Sequence, residues 1–398
     1  MKRVVVIGGG ASGIIAAIKA AENCEVILIE ANDKCGKKLL LTGNGKCNYW
    51  NDNLILDNYY TDDLLKLETI LNNKGEVLDF LYHLGLYPKI KNGYYYPYSS
   101  MASSVRELLM LELERRRVKV FYDTKVLNIK KQNGNFIIST SKDEINADKV
   151  IIATGSKACP KTGSSGDGYR FAEAFGHQIN PVLPALVQLK ADEFFLKEWN
   201  GVRQDARISL YIDNEKQAEE EGELQMTQEG ISGICTFNIS SLVSRSLNAN
   251  KKVLVKLNFV PFIKEDFYAF FEKRALQMPR HTIEELLESI LNYKLISVIL
   301  KKSNLPKNIY WKSLTEKEKQ TLCANIENFE LNILGTNSFE KSQVCTGGVS
   351  LAEVNEYMES KLCSDLYLVG ELLDVDGKCG GFNLAFAFIS GYRAGKDC

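Results

Sequence analysis

At 398 residues the chain has the length of two or three domains and ample size to bury a core. Its 49 basic and 50 acidic residues nearly cancel, which excludes a global field for gathering nucleic acid or an anionic membrane, and no apolar run approaches the roughly 20 residues of a bilayer span. The ten cysteines form no C-x-x-C pair and the three histidines, His83, His177 and His281, lie far apart, so neither a metal cage nor a disulfide framework is expected, and free thiols point to a reducing cytoplasm.

Val4 to Ile7 is a short β-branched run, the pattern of a strand buried on both faces. Lys2 and Arg3 before it mimic a secretory leader, but three glycines break the apolar stretch and the N-terminus reads as folded. Gly8, Gly10 and Gly13 follow at the spacing G-x-G-x-x-G, which gives a tight turn, a close backbone approach to a pyrophosphate and a helix lying near its strand. The helix from Ala11 through Ser12 to about Ala21 aims its free N–H groups at the phosphates. A second strand, Val26 to Ile29, ends in Glu30 and Ala31, and a carboxylate there suits the hydroxyls of an adenosine ribose. Strand, turn, helix, strand and acid together predict a dinucleotide site.

The next segment, Asp33 to Asn51, is dense in glycine, asparagine and lysine. After Thr42, Gly43 and Gly45 flank Asn44 in a turn that exposes backbone amides, and Lys37, Lys38 and Lys46 carry the charge to neutralise a diphosphate. A solvated loop is the competing reading; the position directly after the ribose acid decides for the cofactor. Cys47 sits in this lysine-flanked loop, an environment expected to lower its pKa, though without the C-x-x-C partner of a disulfide reductase.

Leu64 to Leu84 has helical spacing, and Tyr94 to Tyr98, YYYPY, reads either as the lining of a substrate pocket or as a packed strand end. A helix, Val105 to Arg117, precedes strands at Val118 to Phe121 and Lys125 to Ile129, with a hairpin through Asn133 and Gly134 into Phe136 to Thr140. Val126 therefore lies where a strand edge meets an adenine through its main chain. Lys149 to Gly155 is a buried strand whose end, Ala153, Thr154 and Gly155, lets the chain pass tightly over a dinucleotide. A second glycine-rich turn, Gly163 to Gly168, opens a helix from Tyr169 to Phe175; it is a competing phosphate site for a nicotinamide cofactor, without the strand spacing of the first.

From Val187 to Val260 short alternating segments suggest a small antiparallel barrel or sandwich, with the acidic run Glu219 to Glu223 as a solvated turn. From Phe262 to Asn328 the period becomes helical, with Thr282 as N-cap and Glu284 and Glu285 in the first turn of a long helix. Asn337 onward returns to the first style. Cys345 to Val349 precedes a strand ending in Gly370 and Glu371; Asp374 follows, then Gly380 and Gly381 at the start of a helix from Asn383 and Leu384 to about Arg393. Such a helix N-terminus suits the flavin pyrimidine, where negative charge gathers on reduction. The chain thus reads as α/β. A Rossmann-like dinucleotide-binding domain spans 1–185 plus 337–398, with an inserted β-barrel-like domain at 186–261 and a helical domain at 262–336.

The motifs VVVIGGGASG, GKKLLLTGNGKCN, YYPYSSMASSV, IIATG, MTQEGISG (Met226 to Gly233), TGGV and VGELLDVDGKCGGFNLAFAFISG, taken together, resemble the BaiN/YhiN-type flavoproteins, also called the BaiN/RdsA family, over nearly the whole chain. The resemblance implies a Rossmann-like FAD-binding domain of the two-dinucleotide-binding-domain flavoprotein type, with FAD held between the first βαβ unit and the C-terminal strand and helix. It implies that Ser12 and Gly13 meet the pyrophosphate, Glu30 the ribose, Lys37 and Lys38 the phosphate region, and Val126 the adenine. Asn44, Lys46 and Cys47 would approach the flavin, and Glu371, Asp374, Gly381, Asn383 and Leu384 its ribityl and ring end. Lys46 stands where arginine is usual, and Gln228, on the implied substrate side, where histidine or glutamate is frequent.

The activity implied is a reductase: NADH or NADPH charges the flavin, which passes hydride to an electron-poor C=C bond such as a steroid-acid-like enone or enoate. Tyr96, Tyr98 and Cys345 are candidate catalytic proton donors by residue type. Two other readings compete: an oxygen-dependent oxidase of a small amine or aminoketone, and a flavin-binding redox sensor or partner-binding protein without turnover. The expected partners are a small-molecule substrate, with no nucleic acid and no membrane, for a monomer or homodimer.

Overall fold

The computed structural model describes all 398 residues, which divide into two compact units, Met1–Pro184 with Ser342–Cys398, and Ala185–Lys341. The first is built on a five-stranded parallel sheet in the order Leu366–Leu368, Lys149–Ile152, Arg3–Ile7, Glu25–Ile29, Lys119–Phe121. Val4, Val5 and Val6 in its central strand have no exposed surface, as a strand covered on both faces requires. Residues from both ends of the chain therefore share one sheet and one core.

The helix Ala11–Ala20 and the C-terminal helix Phe382–Asp397 pack closely because glycines line their contact. A Cβ on Gly391 would fall 2.2 Å from the Ser12 carbonyl oxygen, and one on Gly395 2.5 Å from that of Ala16. The hairpin predicted at Asn133 and Gly134 is present. Both residues are left-handed, φ 51° and 87°, as a two-residue turn between twisted strands demands. A small antiparallel sheet, Trp50–Asn51, Tyr94–Pro97 and Pro88–Lys91, completes the part of this unit that matters below.

The second unit carries a seven-stranded antiparallel sheet formed by Arg203–Ile212, Glu215–Thr227, Val253–Asn258, Phe329–Ile333 and three shorter strands. One core holds both the sheet and the helices: Phe259, Phe329 and Trp199 cluster with Phe195, and Phe267, Phe271 and Leu286 belong to the same buried set. The boundary drawn in the sequence at 261/262 thus runs through a single core, because strand Phe329–Ile333 returns after the helices to pair with Val253–Asn258.

Four local expectations need correction. The acidic run Glu219 to Glu223 is no turn; it lies within the strand Glu215–Thr227, where cross-strand Arg203 and Arg207 pair with Glu223 and Glu221 and so stabilise an otherwise repulsive stretch. A 15-residue helix, Ile234–Asn248, interrupts the stretch read as wholly β. Leu64 to Leu84 is two helices, Leu64–Leu71 and Lys74–His83, separated at Asn72 and Asn73. Thr282 does cap, in a reciprocal box with Glu285, but its helix Ile283–Leu287 is only five residues long. No helix of the structure is long and apolar enough to cross a membrane.

Candidate functional site

The first glycine turn sits at the C-terminal ends of the parallel strands, where open α/β sheets bind ligands. Gly8 has φ +106°, and a Cβ there would lie 2.5 Å from the Ala153 carbonyl oxygen; a Cβ on Gly13 would lie 2.0 Å from that of Gly8. Those two positions exclude any side chain. Gly10 meets nothing closer than 4.0 Å, so its backbone stays open to approach. The helix it begins has no side-chain cap and no acid in its first turn, and no intrahelical carbonyl reaches the amides of Ala11, Ser12 and Gly13. That donor set suits an anion.

Glu30 is 8 % exposed at the end of the second strand. One carboxylate oxygen accepts from the Gly9 amide at 2.8 Å, the other from the Asn32 amide at 2.8 Å and from Asn32 Nδ2 at 2.6 Å. These bonds hold the carboxylate in one orientation, with acceptor capacity left for hydroxyls. The Thr124 amide donates to the Glu30 carbonyl; Ala31 is exposed, and Val126, two residues beyond Thr124, is buried. Ala153 is tied to the Ile7 carbonyl through its amide, so the end of the Lys149–Ile152 strand does pass against the glycine turn.

Glu371 joins parts of the chain that no spacing rule connects. Lys38 Nζ is 2.9 Å from Oε2, while Oε1 accepts from Ser156 Oγ at 2.7 Å and from the Cys345 amide at 2.9 Å. Lys37 is held by Asp33 at 2.7 Å and Asn32 at 3.2 Å. Neither lysine is a free cation here; each carries a carboxylate partner. Gly370, at φ +68°, lies so near the first helix that a Cβ would stand 2.5 Å from Ser12 Oγ.

The loop Thr42 to Cys47 runs through four left-handed residues, Gly43, Asn44, Gly45 and Cys47, which leaves Asn44 and Lys46 exposed. Cys47 is fully buried. Burial pushes its thiol up to about 12, against the opposing Thr42 hydroxyl, so the expected lowering by neighbouring lysines is overturned. Desolvation outweighs the lysines because their ammonium groups are not among the charges it feels.

At the C-terminal helix Gly381 caps at φ +93° without a side-chain bond, and its first turn lacks acids. Asn383 clasps the Gly377 backbone in both directions, at 2.8 and 2.7 Å, and Leu384 is half-buried in the next position. Gly380 takes a bond from Asn51 Nδ2 on its carbonyl at 2.8 Å. Asp374 lies deeper, without exposed surface, its oxygens accepting from the Gly347 amide and Asn180 Nδ2. The first of those bonds ties Asp374 to the Val344–Val349 strand.

Of the proton-donor candidates, Tyr98 is 67 % exposed with its ring edge against Tyr87. Tyr96 lies beside the Gly43 turn. Cys345 is buried, and burial with the Glu371 charge pushes its thiol up to about 11. The Gly163 to Gly168 turn does not stand apart as a second site: a Cβ on Gly163 would lie 2.2 Å from Asn32 Nδ2, and one on Gly168 1.9 Å from Thr154 Oγ1. Asp167 in the first turn of its helix also disfavours a phosphate. Sequence reasoning missed Asn32 and Ser156. Each was findable as a small polar residue just beyond a strand-end signal, Glu30 and Gly155 respectively.

The residues present fit a dinucleotide with a flavin. Two acid-free, uncapped helix starts offer amides, Glu30 offers an oriented acceptor, and glycines hold the backbones where side chains would collide. Residues 2–397 match the family described as HI0933-like protein Rossmann domain. The chain is similar to a 3-dehydro-bile acid delta(4,6)-reductase of Clostridium scindens, 39 % identical with 100 % of this chain and 98 % of the relative covered. It is also similar to a ribosomal RNA dihydrouridine synthase of Escherichia coli, 25 % identical over 99 % and 97 % of the two chains. Among solved structures, a 3-ketosteroid-delta4-(5alpha)-dehydrogenase from Rhodococcus jostii shares the fold with a TM-score of 0.52 at 13 % identity, covering 99 % of this chain and 96 % of that one.

Proposed function

The chain belongs to the HI0933-like Rossmann family, and from that premise we propose that it is an FAD-dependent oxidoreductase that reduces a C=C bond conjugated to a carbonyl, with NADH or NADPH as electron donor. The observation that carries the reading is the paired cradle: the Gly8 to Gly13 turn with Glu30 at one end, and the Gly380 and Gly381 helix start at the other. Bound FAD supplies the two-electron hydride chemistry that no side chain can.

The chain's own residues do the rest. Ala11, Ser12 and Gly13 would direct amides at the diphosphate, and Glu30, held by Gly9 and Asn32, would accept from the adenosine ribose. Lys38 and Ser156 fix Glu371, which would meet the ribityl region, and Asn383 fixes the backbone that begins the C-terminal helix, whose positive end would favour charge on the pyrimidine. Net reduction adds a hydride to the carbon β to the carbonyl and a proton to the α carbon. At neutral pH the Tyr96 phenol and the Cys345 thiol are both protonated, since burial raises each. All ten cysteines are free, which fits a reducing compartment.

The names of two relatives point to one chemistry. A delta(4,6)-reductase and a dihydrouridine synthase each saturate a C=C bond, and in uridine that bond is conjugated to a ring carbonyl. The 39 % relative favours an alicyclic enone over a pyrimidine, as does the near-neutral charge. Anaerobic stopped-flow tests this: the yellow protein should bleach rapidly with NADH or NADPH and recover its colour on adding a 3-keto-4-ene acid. Bleaching by amines alone would replace the reading with an oxidase, and recolouring only by uridine-containing RNA would move the substrate to the second relative's class.

A further inference from the structure

The strand Tyr94–Pro97 carries tyrosines of two kinds. Tyr95 is 7 % exposed, packs edge-on against Tyr49 and donates its hydroxyl to Asp52 at 2.7 Å. Tyr94 and Tyr96, one residue to either side, point to the opposite face of the strand. Tyr94 is 37 % exposed and Tyr96 is half-buried.

Their placement is what gives them meaning. A Cβ on Gly380 would lie 2.6 Å from Tyr94 Cε1, so the Tyr94 ring rests against the backbone of the turn that starts the C-terminal helix. A Cβ on Gly43 would lie 3.8 Å from Tyr96 Cε1, which puts Tyr96 against the left-handed loop. Asn51, opposite Tyr94 in the ladder, holds the Gly380 carbonyl from the same small sheet. One strand thus sets two partly open rings against both glycine turns assigned to the flavin's ring end, and it does so on a rigid, paired element.

We propose that Tyr94 and Tyr96 form an aromatic wall of the substrate compartment that selects flat, multi-ring conjugated ketones over single-ring ones. The inference rests on the reductase reading above. Alternate residues of a strand are separated by roughly 6.6 Å, so a ligand must extend at least that far to lie against both rings, which a fused-ring system does and one six-membered ring does not. Covering about 55 Å² of apolar ligand surface on one tyrosine ring corresponds to roughly a tenfold gain in affinity.

The test uses the full-length FAD-loaded protein without any electron donor, so that an enone binds without turnover. Isothermal titration compares a 3-keto-4-ene steroid acid with cyclohexenone for wild type, Tyr94→Ala, Tyr96→Ala and the two Phe variants. Each Ala variant should weaken the steroid roughly tenfold and cyclohexenone less than twofold, while Tyr94→Phe and Tyr96→Phe keep steroid affinity because the ring is what acts. Flavin absorbance per chain monitors the integrity of each variant. Steroid affinity within twofold of wild type in both Ala variants overturns the wall alone, as does an equal loss for the two probes. A wild-type protein that takes NAD(P)H electrons yet binds neither enone overturns the substrate reading and the wall together.

Discussion

Cys47 shows how a residue's neighbours in space decide its chemistry. Three lysines near it in sequence suggest a reactive thiolate, yet the side chain faces the interior and its thiol is pushed from near 9 to about 12 by burial. Between pH 7 and pH 9, iodoacetamide should therefore label Cys47 far more slowly in the folded protein than after unfolding in guanidinium, as read by peptide mass mapping. A raised thiol pKa favours the neutral form in the fold, so its contribution to stability is complete below the unfolded value and declines as pH climbs from 9 toward 12. Cys47→Ser should keep bound FAD and most flavin reduction; loss of the reduction step would return the thiol to the mechanism.

Among the elements, the pairing of the first and last helices governs the site. Both begin at uncapped glycines, and their approach is set by Gly391 and Gly395 against the Ser12 and Ala16 carbonyls. Any side chain at Gly391 forces those backbones apart, and overpacking of this kind costs roughly 1–3 kcal/mol. Because Ser12 is in the helix turn proposed to meet the diphosphate, Gly391→Ala should lower both the melting temperature and the FAD content of the purified protein. Retained flavin with a lowered melting temperature would show that the helix contact supports the fold without shaping the cradle.

At the scale of the whole molecule, two units with separate cores make a calorimetric prediction. Every residue assigned to FAD lies in the unit of Met1–Pro184 and Ser342–Cys398. Ligand binding stabilises the state that holds it, by about 2.7 kcal/mol at a hundredfold excess over Kd. Added FAD should thus raise the transition of that unit more than any transition of Ala185–Lys341. Equal shifts would mean that the second unit shares in cofactor binding or unfolds in one step with the first.

Local patterns were enough to read the first strand, glycine turn, helix and Glu30, because each is a short-range signal: β-branched burial, φ > 0 at glycine, and a strand-end acid. The sequence by itself also pointed to the two ends of the chain coming together, and they do share one sheet and one core. Only the tertiary structure decided that Lys38, Ser156 and the Cys345 amide converge on Glu371, that Asp374 braces a strand, and that Tyr94 and Tyr95 do different work. The physical reason is that burial and hydrogen-bond partnership belong to residues brought together across hundreds of positions, and sequence spacing carries no record of which carboxylate or which glycine will be waiting there.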